Sequence, residues 1–262
     1  MSTKEKIITQ SFWTKPMNDS LSLQLDLAAL SLYYAHRSGY VVHMHTDSKG
    51  MELLKDYGYD SLLPTLDEIP SDIPECIFAY GKILALEREP IGAVHTDLDV
   101  FIKKPLLDKF FEDKNIDVVL QCEEISIEDD IYERLRAFFR EYGYPPELAV
   151  DHLMSANVGV IGFNNQQLKD EYIRRYKACA NYYKEAREGM MDLFFEQINV
   201  HYLVGHYGYR VWYILGQIGA GYMDGVNELC DRIGYQHLQG GYKHAPEVKA
   251  FIHNYRKKLC GY

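Results

Sequence analysis

Short apolar, β-branched runs alternate with stretches of helical periodicity from one end of this chain to the other. Tyr40 to His45 alternates with the period of a strand. Leu21, Leu25, Ala28, Ala29 and Leu32 recur at helical spacing within 20–37, and Gly39 stands at the expected stop. The same reading predicts strands over 6–12, 91–95, 118–121, 157–163, 211–214 and 235–238. It predicts helices over 51–57, 78–88, 105–111, 131–142, 167–184, 192–203 and 245–259. Strand–helix alternation implies an α/β fold, with a Rossmann-like, mostly parallel central sheet and helices on both faces. At 262 residues the chain is long enough to bury a large core. In such sheets ligands bind beyond the carboxyl ends of the strands. Asp47 and the pair Asp97 and Asp99 fall at those ends.

Composition excludes several classes. With 28 basic against 38 acidic residues the net charge is −10, which argues against a nucleic-acid partner. The five cysteines are scattered without CxxC spacing, so a zinc or disulfide framework is not expected. The first residues lack a signal-peptide core, and no run reaches the ~18 apolar residues of a membrane span. A cytoplasmic location is the expectation.

Two motifs carry the chemistry. An apolar run from Ile91 ends in Asp97-Leu98-Asp99-Val100-Phe101, and later comes His237-Leu-Gln-Gly240-Gly-Tyr-Lys243. In an extended segment Asp97 and Asp99 point to one side, where they repel unless a cation lies between them. Carboxylate oxygens suit Mg2+ or Mn2+, and an imidazole from His237 tilts the choice toward Mn2+. Lys243 would add a point charge beside a diphosphate, and Gly240 would let backbone approach phosphate closely. Each motif alone has an ordinary explanation, as a turn after a strand or as a packed imidazole.

Taken in order, the motifs resemble those of GT-A-fold glycosyltransferases, closest to retaining family 8, which includes bacterial α-galactosyltransferases and glycogenin. The family's Asp-x-Asp strand corresponds to Asp97-Leu98-Asp99, and its Asn-x-Gly-Val strand to Asn157-Val158-Gly159-Val160. Its Asp-Gln segment is similar to Glu196-Gln197-Ile198-Asn199, and its His-x-x-Gly-x-x-Lys segment to 237–243. Three departures stand out: Glu196 replaces the usual Asp, His244 replaces the usual Pro, and Asn199 comes one residue early.

The resemblance implies a single GT-A-type domain over 1–262, with a nucleotide-binding half at 1–100 and an acceptor-binding half at 101–262. It implies a nucleoside-diphosphate sugar donor, UDP-linked, and a glycan or lipid-linked acceptor. Asp97 would touch metal and ribose, Asp99 and His237 would complete the metal ligands, and Lys243 and Gly240 would hold the phosphates. Asn157 and Gln197 would surround the transferred sugar. Because an amide is a poor nucleophile, departure on the front face fits better than double displacement, and Glu196 is the more nucleophilic neighbour.

Softer candidates follow the first two strands. Thr9, Ser11 and Trp13 would meet the base, and Asp47 ends the second strand. Lys82 could reach a phosphate, although a solvated lysine is the ordinary reading, as a solvated helix face is for Glu196 and Gln197. His43 and His45 read as structural. Lys249, Arg256, Lys257 and Lys258 form a basic cluster. It fits peripheral contact with an anionic membrane face or, more simply, a helix end complementing its dipole. The segment Asp97-Leu98-Asp99-Val100 also resembles the opening motif of haloacid-dehalogenase phosphatases, with Glu128-Asp129-Asp130 as a later acidic pair. That reading leaves His237 and Lys243 without a role. A non-catalytic nucleotide-sugar binder would carry the same site.

Overall fold

The computed structural model describes residues 5–124, 130–182, 190–218, 226–238 and 241–260. β1 (Ile7–Phe12), β2 (Val41–Thr46), β3 (Ser61–Leu63) and β4 (Val94–Thr96) pair in parallel. They are linked by α1 (Leu21–Arg37), α2 (Ser48–Leu54) and α3 (Tyr80–Arg88). After β5 (Val100–Ile102) and α4 (Asp108–Glu112) come β6 (Val118–Glu124), α5 (Asp130–Tyr142), β7 (Ser155–Phe163) and α6 (Gln166–Tyr182). The chain continues through α7 (Met191–Leu193), a π-helical turn at Phe194–Ile198, and α8 (Asn199–Tyr207). Then follow β8 (Val211–Tyr213), β9 (Gln217–Ile218), α9 (Val226–Ile233), β10 (Tyr235–His237) and α10 (Pro246–Cys260).

The central sheet runs β3-β2-β1-β4-β7-β6-β8, and β9 adds to β6. It is mostly parallel, as the alternation predicts. β7 is the exception, antiparallel to both β4 and β6. All nine residues of β7 are buried, so its sequence has no polar face to signal direction. The reversal matters for function: β1, β2 and β4 bring their C-terminal ends to one edge, and β7 brings its N-terminal residues there. Asn157 and Gly159 therefore lie near Asp97, whose amide bonds the Gly159 carbonyl at 2.9 Å.

Helices cover both faces. One core packs α3, α5, α6 and α8 on the sheet, with Phe139, Phe163, Tyr172, Tyr176, Phe194 and Phe195 at its centre. Another packs α1 and α10 on the far side. There Arg256 pairs with buried Asp26 at 2.9 Å, as does His253 at 2.9 Å. One member of the basic C-terminal cluster is thus consumed in packing. Gly162 is required where β7 meets β4, because a Cβ there would lie 2.7 Å from Val94 Cγ2 and 3.0 Å from the Ala93 carbonyl.

Candidate active site

Asp97, Leu98 and Asp99 form the turn between β4 and β5, closed by the Val100 amide on the Asp97 carbonyl at 3.0 Å. The expected extended segment is thus a turn, and it still holds both carboxylates on one cavity. β5 pairs antiparallel with β10, placing His237 opposite Val100, and the Leu238 amide bonds the Asp99 carbonyl at 3.0 Å. This short second sheet joins the two motifs. The ligand atoms of Asp97, Asp99 and His237 all lie within 4.8 Å of one another. Two carboxylate oxygens and one imidazole nitrogen at that spacing fit a hard divalent cation.

The imidazole is held from behind. Gln121 Oε1 accepts from His237 Nδ1 at 2.7 Å and from the Tyr235 hydroxyl at 2.7 Å. With Nδ1–H engaged by Gln121, Nε2 is the nitrogen turned toward the carboxylates, 3.3 Å from Asp99 Oδ1. The ring fits because Gly159 faces it. A Cβ at 159 would lie 2.5 Å from His237 Cε1 and 2.7 Å from Gln121 Oε1.

Each carboxylate also has a lysine. Lys243 pairs with Asp99 Oδ2. Lys82 Nζ lies 2.9 Å from Asp97 Oδ1 and 3.2 Å from Glu196 Oε2, and donates to the Val158 carbonyl at 3.2 Å. Lys82 is only 6 % exposed, so the solvated reading is corrected: the lysine is a buried cation between two acids. Burial alone would lower its pKa, but Asp97 and then Glu196 outweigh it and hold it above its ordinary value. Burial would likewise raise Asp99, yet the charges of His237 and Lys243 hold that carboxyl well below the usual range.

Glu196 and Gln197 are 3 % and 9 % exposed, so the solvated-face reading is corrected for both. They sit on the π-helical turn, a form that recurs at functional sites. Burial pushes the Glu196 carboxyl up to about 8, with Lys82 opposing and Asp192 and Asp97 adding to the rise. Buried Asp192 is raised to about 7, again by burial first. It accepts from the Ala79 amide and from the Tyr176 hydroxyl. Gln197 Oε1 accepts from the Tyr132 hydroxyl, which fixes its carboxamide. Asn157 donates to Glu124 Oε1 at 3.1 Å and accepts from the Gly159 amide at 3.0 Å. It lies within β7 rather than at a strand end. Sequence reasoning passed over Gln121, Tyr132, Glu124 and Asp192, which sit on elements without motifs and are recognisable only by their contacts.

Lys82, Asp97, Asp99, Glu196 and Lys243 line a cavity of about 390 Å³ together with Ser11 and Phe78, while His237, Asn157 and Gln197 are not among its lining residues. Ser11 reaches it and contacts His95 Nε2 at 3.1 Å. Burial, then Lys82 and His45, keep His95 well below its ordinary pKa. Thr9 is fully buried and does not line the cavity. Trp13, 5 % exposed, packs among Leu66, Ile77 and Tyr80, which corrects its expected place against a base. Phe78, 48 % exposed, is the aromatic that faces the cavity instead. Asp47 caps α2 through the Gly50 amide at 2.7 Å and takes the Thr14 amide and hydroxyl at 2.9 and 2.6 Å. It therefore shapes the loop after β1. Gly240, Glu128 and Asp129 lie outside the described residues. His43 and His45 share Glu89, at 2.8 and 2.9 Å, a carboxylate too distant in sequence to be noticed beside them.

A mostly parallel sheet flanked by helices on both faces matches the GT-A-like fold of the solved structures to which the chain is similar. The chain belongs to the family of unknown function DUF6734, whose profile matches residues 2–259. Among solved structures it is similar to an active-site mutant of LgtC, at 13 % identity and a TM-score of 0.51, covering 97 % of this chain and 95 % of that one. It is also similar to the glycosyltransferase GlyE of Streptococcus pneumoniae TIGR4, at 12 % identity and a TM-score of 0.51. There the match covers 97 % of this chain and 60 % of GlyE. A search of curated proteins finds no match. Among the described residues no helix is long and apolar enough to cross a membrane.

Proposed function

We propose that the chain is a metal-dependent glycosyltransferase that moves a sugar from a nucleoside-diphosphate donor, UDP-linked, to a glycan or lipid-linked acceptor. The observation that carries this reading is the convergence of Asp97, Asp99 and His237 within 4.8 Å, beside a cavity that both carboxylates line, with a lysine on each carboxylate. Asp97, Asp99 and His237 would hold Mn2+ or Mg2+. When bound, the cation neutralises charge on a departing diphosphate.

The chain's own groups do the rest. Lys243, which pairs with Asp99, would take a phosphate oxygen once that carboxylate holds the cation. Gly240, three residues after His237 in the sequence, would contribute backbone to the same phosphates. Asp97 would bond the ribose, and Ser11 and Phe78 would form the side of the cavity that receives the base. Asn157 and Gln197 would face the donor sugar, with Tyr132 orienting the Gln197 amide. Burial raises the Glu196 carboxyl above its ordinary value and so favours its protonated form, in which it would be a weak nucleophile. That supports front-face departure with retention, as in family 8, over a covalent intermediate on Glu196. Residues 1–100 would form the nucleotide half and 101–262 the acceptor half of one domain. The setting would be the cytoplasm, with at most peripheral contact at the inner membrane face, and the product a surface glycan.

The test is release of UDP from UDP-hexoses by purified protein. Release should require Mn2+ or Mg2+ and vanish in Asp99→Ala; equal release by that variant contradicts the assignment.

A further inference from the structure

A second cavity, of about 640 Å³, lies between the first turns of α6 and the end of α8. None of its lining residues belongs to the acidic cleft. Asn157 stands six residues before Phe163, a span of about 20 Å along β7, and α6 begins only beyond that far end of the strand.

Its wall combines two kinds of side chain. Tyr207, 55 % exposed, and half-buried Tyr209 present rings 6.2 Å apart, tilted by 54°. Tyr207 ends a connected run of rings: Tyr202 stacks on His206 at 5.1 Å, and His206 meets Tyr207 edge-on at 4.7 Å. α6 contributes planar polar groups that are already ordered. Gln166 Nε2 donates to Asp170 Oδ1 at 2.7 Å, and Arg174 bonds both oxygens of Glu171 at 2.8 and 2.9 Å.

The pairing discriminates between ligands. An anion would meet Asp170 and Glu171, with the charge of Arg174 already matched by Glu171. An apolar helix would bury carboxylates, a carboxamide and a guanidinium without replacing their water. A pyranose satisfies both walls. Its C–H face packs on a tyrosine ring, and its hydroxyls bond fixed carboxylate and amide groups. A neighbouring cavity of about 480 Å³ is also lined by Asp170 and Arg174, and it continues the track toward Glu87 and Lys177. We propose that this groove binds a neutral saccharide chain, holding a glycan segment remote from the acidic cleft. The argument uses only the groove's own residues and stands apart from the function assigned to the cleft.

Saturation-transfer NMR with maltohexaose, cellohexaose and chitotetraose tests it. Wild-type protein should transfer saturation to C–H protons of at least one probe. Tyr207→Ala, a change at an exposed ring, should weaken that binding at least tenfold while leaving thermal stability and UDP–Mn2+ binding unchanged. Asp99→Ala should retain it. Arg174→Ala gives a second reading from the opposite wall and should also weaken it. No transfer to any probe, or undiminished transfer in both Tyr207→Ala and Arg174→Ala, overturns the proposal. Loss of transfer in Asp99→Ala also overturns it, because the sugar would then lie in the cleft. If wild-type protein fails to bind UDP, the cleft assignment falls and the groove result still stands.

Discussion

Gly159→Ala probes the candidate metal site without touching a ligand. The new Cβ would lie 2.5 Å from His237 Cε1, 2.8 Å from Nδ1 and 2.7 Å from Gln121 Oε1. Real Cβ contacts essentially never fall below 3.0 Å, so the ring must retreat by at least about 0.5 Å. Bonds from a metal to imidazole are about 2.1 Å, with a tolerance near ~0.2 Å, so that retreat removes the imidazole as a ligand. Gln121 is displaced at the same time, and Nδ1 loses the acceptor that orients it. Misorienting a ligand in this way costs roughly 10–100-fold in metal affinity, or about 1.4–2.7 kcal/mol. Overpacking should also destabilise the fold by about 1–3 kcal/mol. Gly205→Ala is the control: nothing lies within 4 Å of its Cβ, and it sits in α8, where alanine should stabilise by up to ~1 kcal/mol. Mn2+ titration alongside thermal unfolding reads both effects. A Gly159→Ala protein that is folded and binds Mn2+ within twofold of wild type refutes the reasoning.

Three further outcomes follow from the cleft. The folded Glu196 pKa, about 8, lies above the ordinary 4.5, so its contribution to stability is full below pH 4.5 and is lost as pH rises through 8. Glu196→Gln should flatten that slope in urea unfolding between pH 5.5 and 8.5; an unchanged slope would place the titration elsewhere, with Asp192 the next candidate. Lys243→Ala should weaken UDP more than uridine in calorimetry, and equal losses would deny a diphosphate contact. Gln197→Ala should lower transfer at least tenfold while UDP binding holds; parallel losses would show that it shapes the nucleotide site instead.

Much of the sheet was legible because its strands are short β-branched runs between periodic helices, and β1, β2, β4 and β6 stand close to where the pattern puts them. β3, β5 and β9 were missed: they have two or three residues, and unlike the equally short β4, β8 and β10 they stood beside turn-like or motif residues that did not read as strand. The helix expected at 51–57 begins instead at Ser48, where Asp47 caps it. The direction of β7 was hidden by uniform burial. At the site, Asp97, Asp99 and His237 were readable from residue type and order, and the structure brings them together. Lys82, Glu196 and Gln197 looked solvent-facing because charge and amide count as surface residues in any periodicity argument. Lys82 and Glu196 are buried through their pairing with each other and with Asp97, and Gln197 through Tyr132 on α5, contacts that no local window contains. Trp13 failed the opposite way: its position after β1 suggested a ligand, whereas it is buried in the core cluster that also holds Leu66, Ile77 and Tyr80.

The central claim is a metal-dependent diphosphate site built by Asp97, Asp99, His237 and Lys243. Calorimetric titration of the purified protein with UDP, with and without Mn2+, tests it most directly. The account predicts micromolar binding that requires the metal and disappears in Asp99→Ala. No binding under either condition, or binding indifferent to Mn2+, would contradict it.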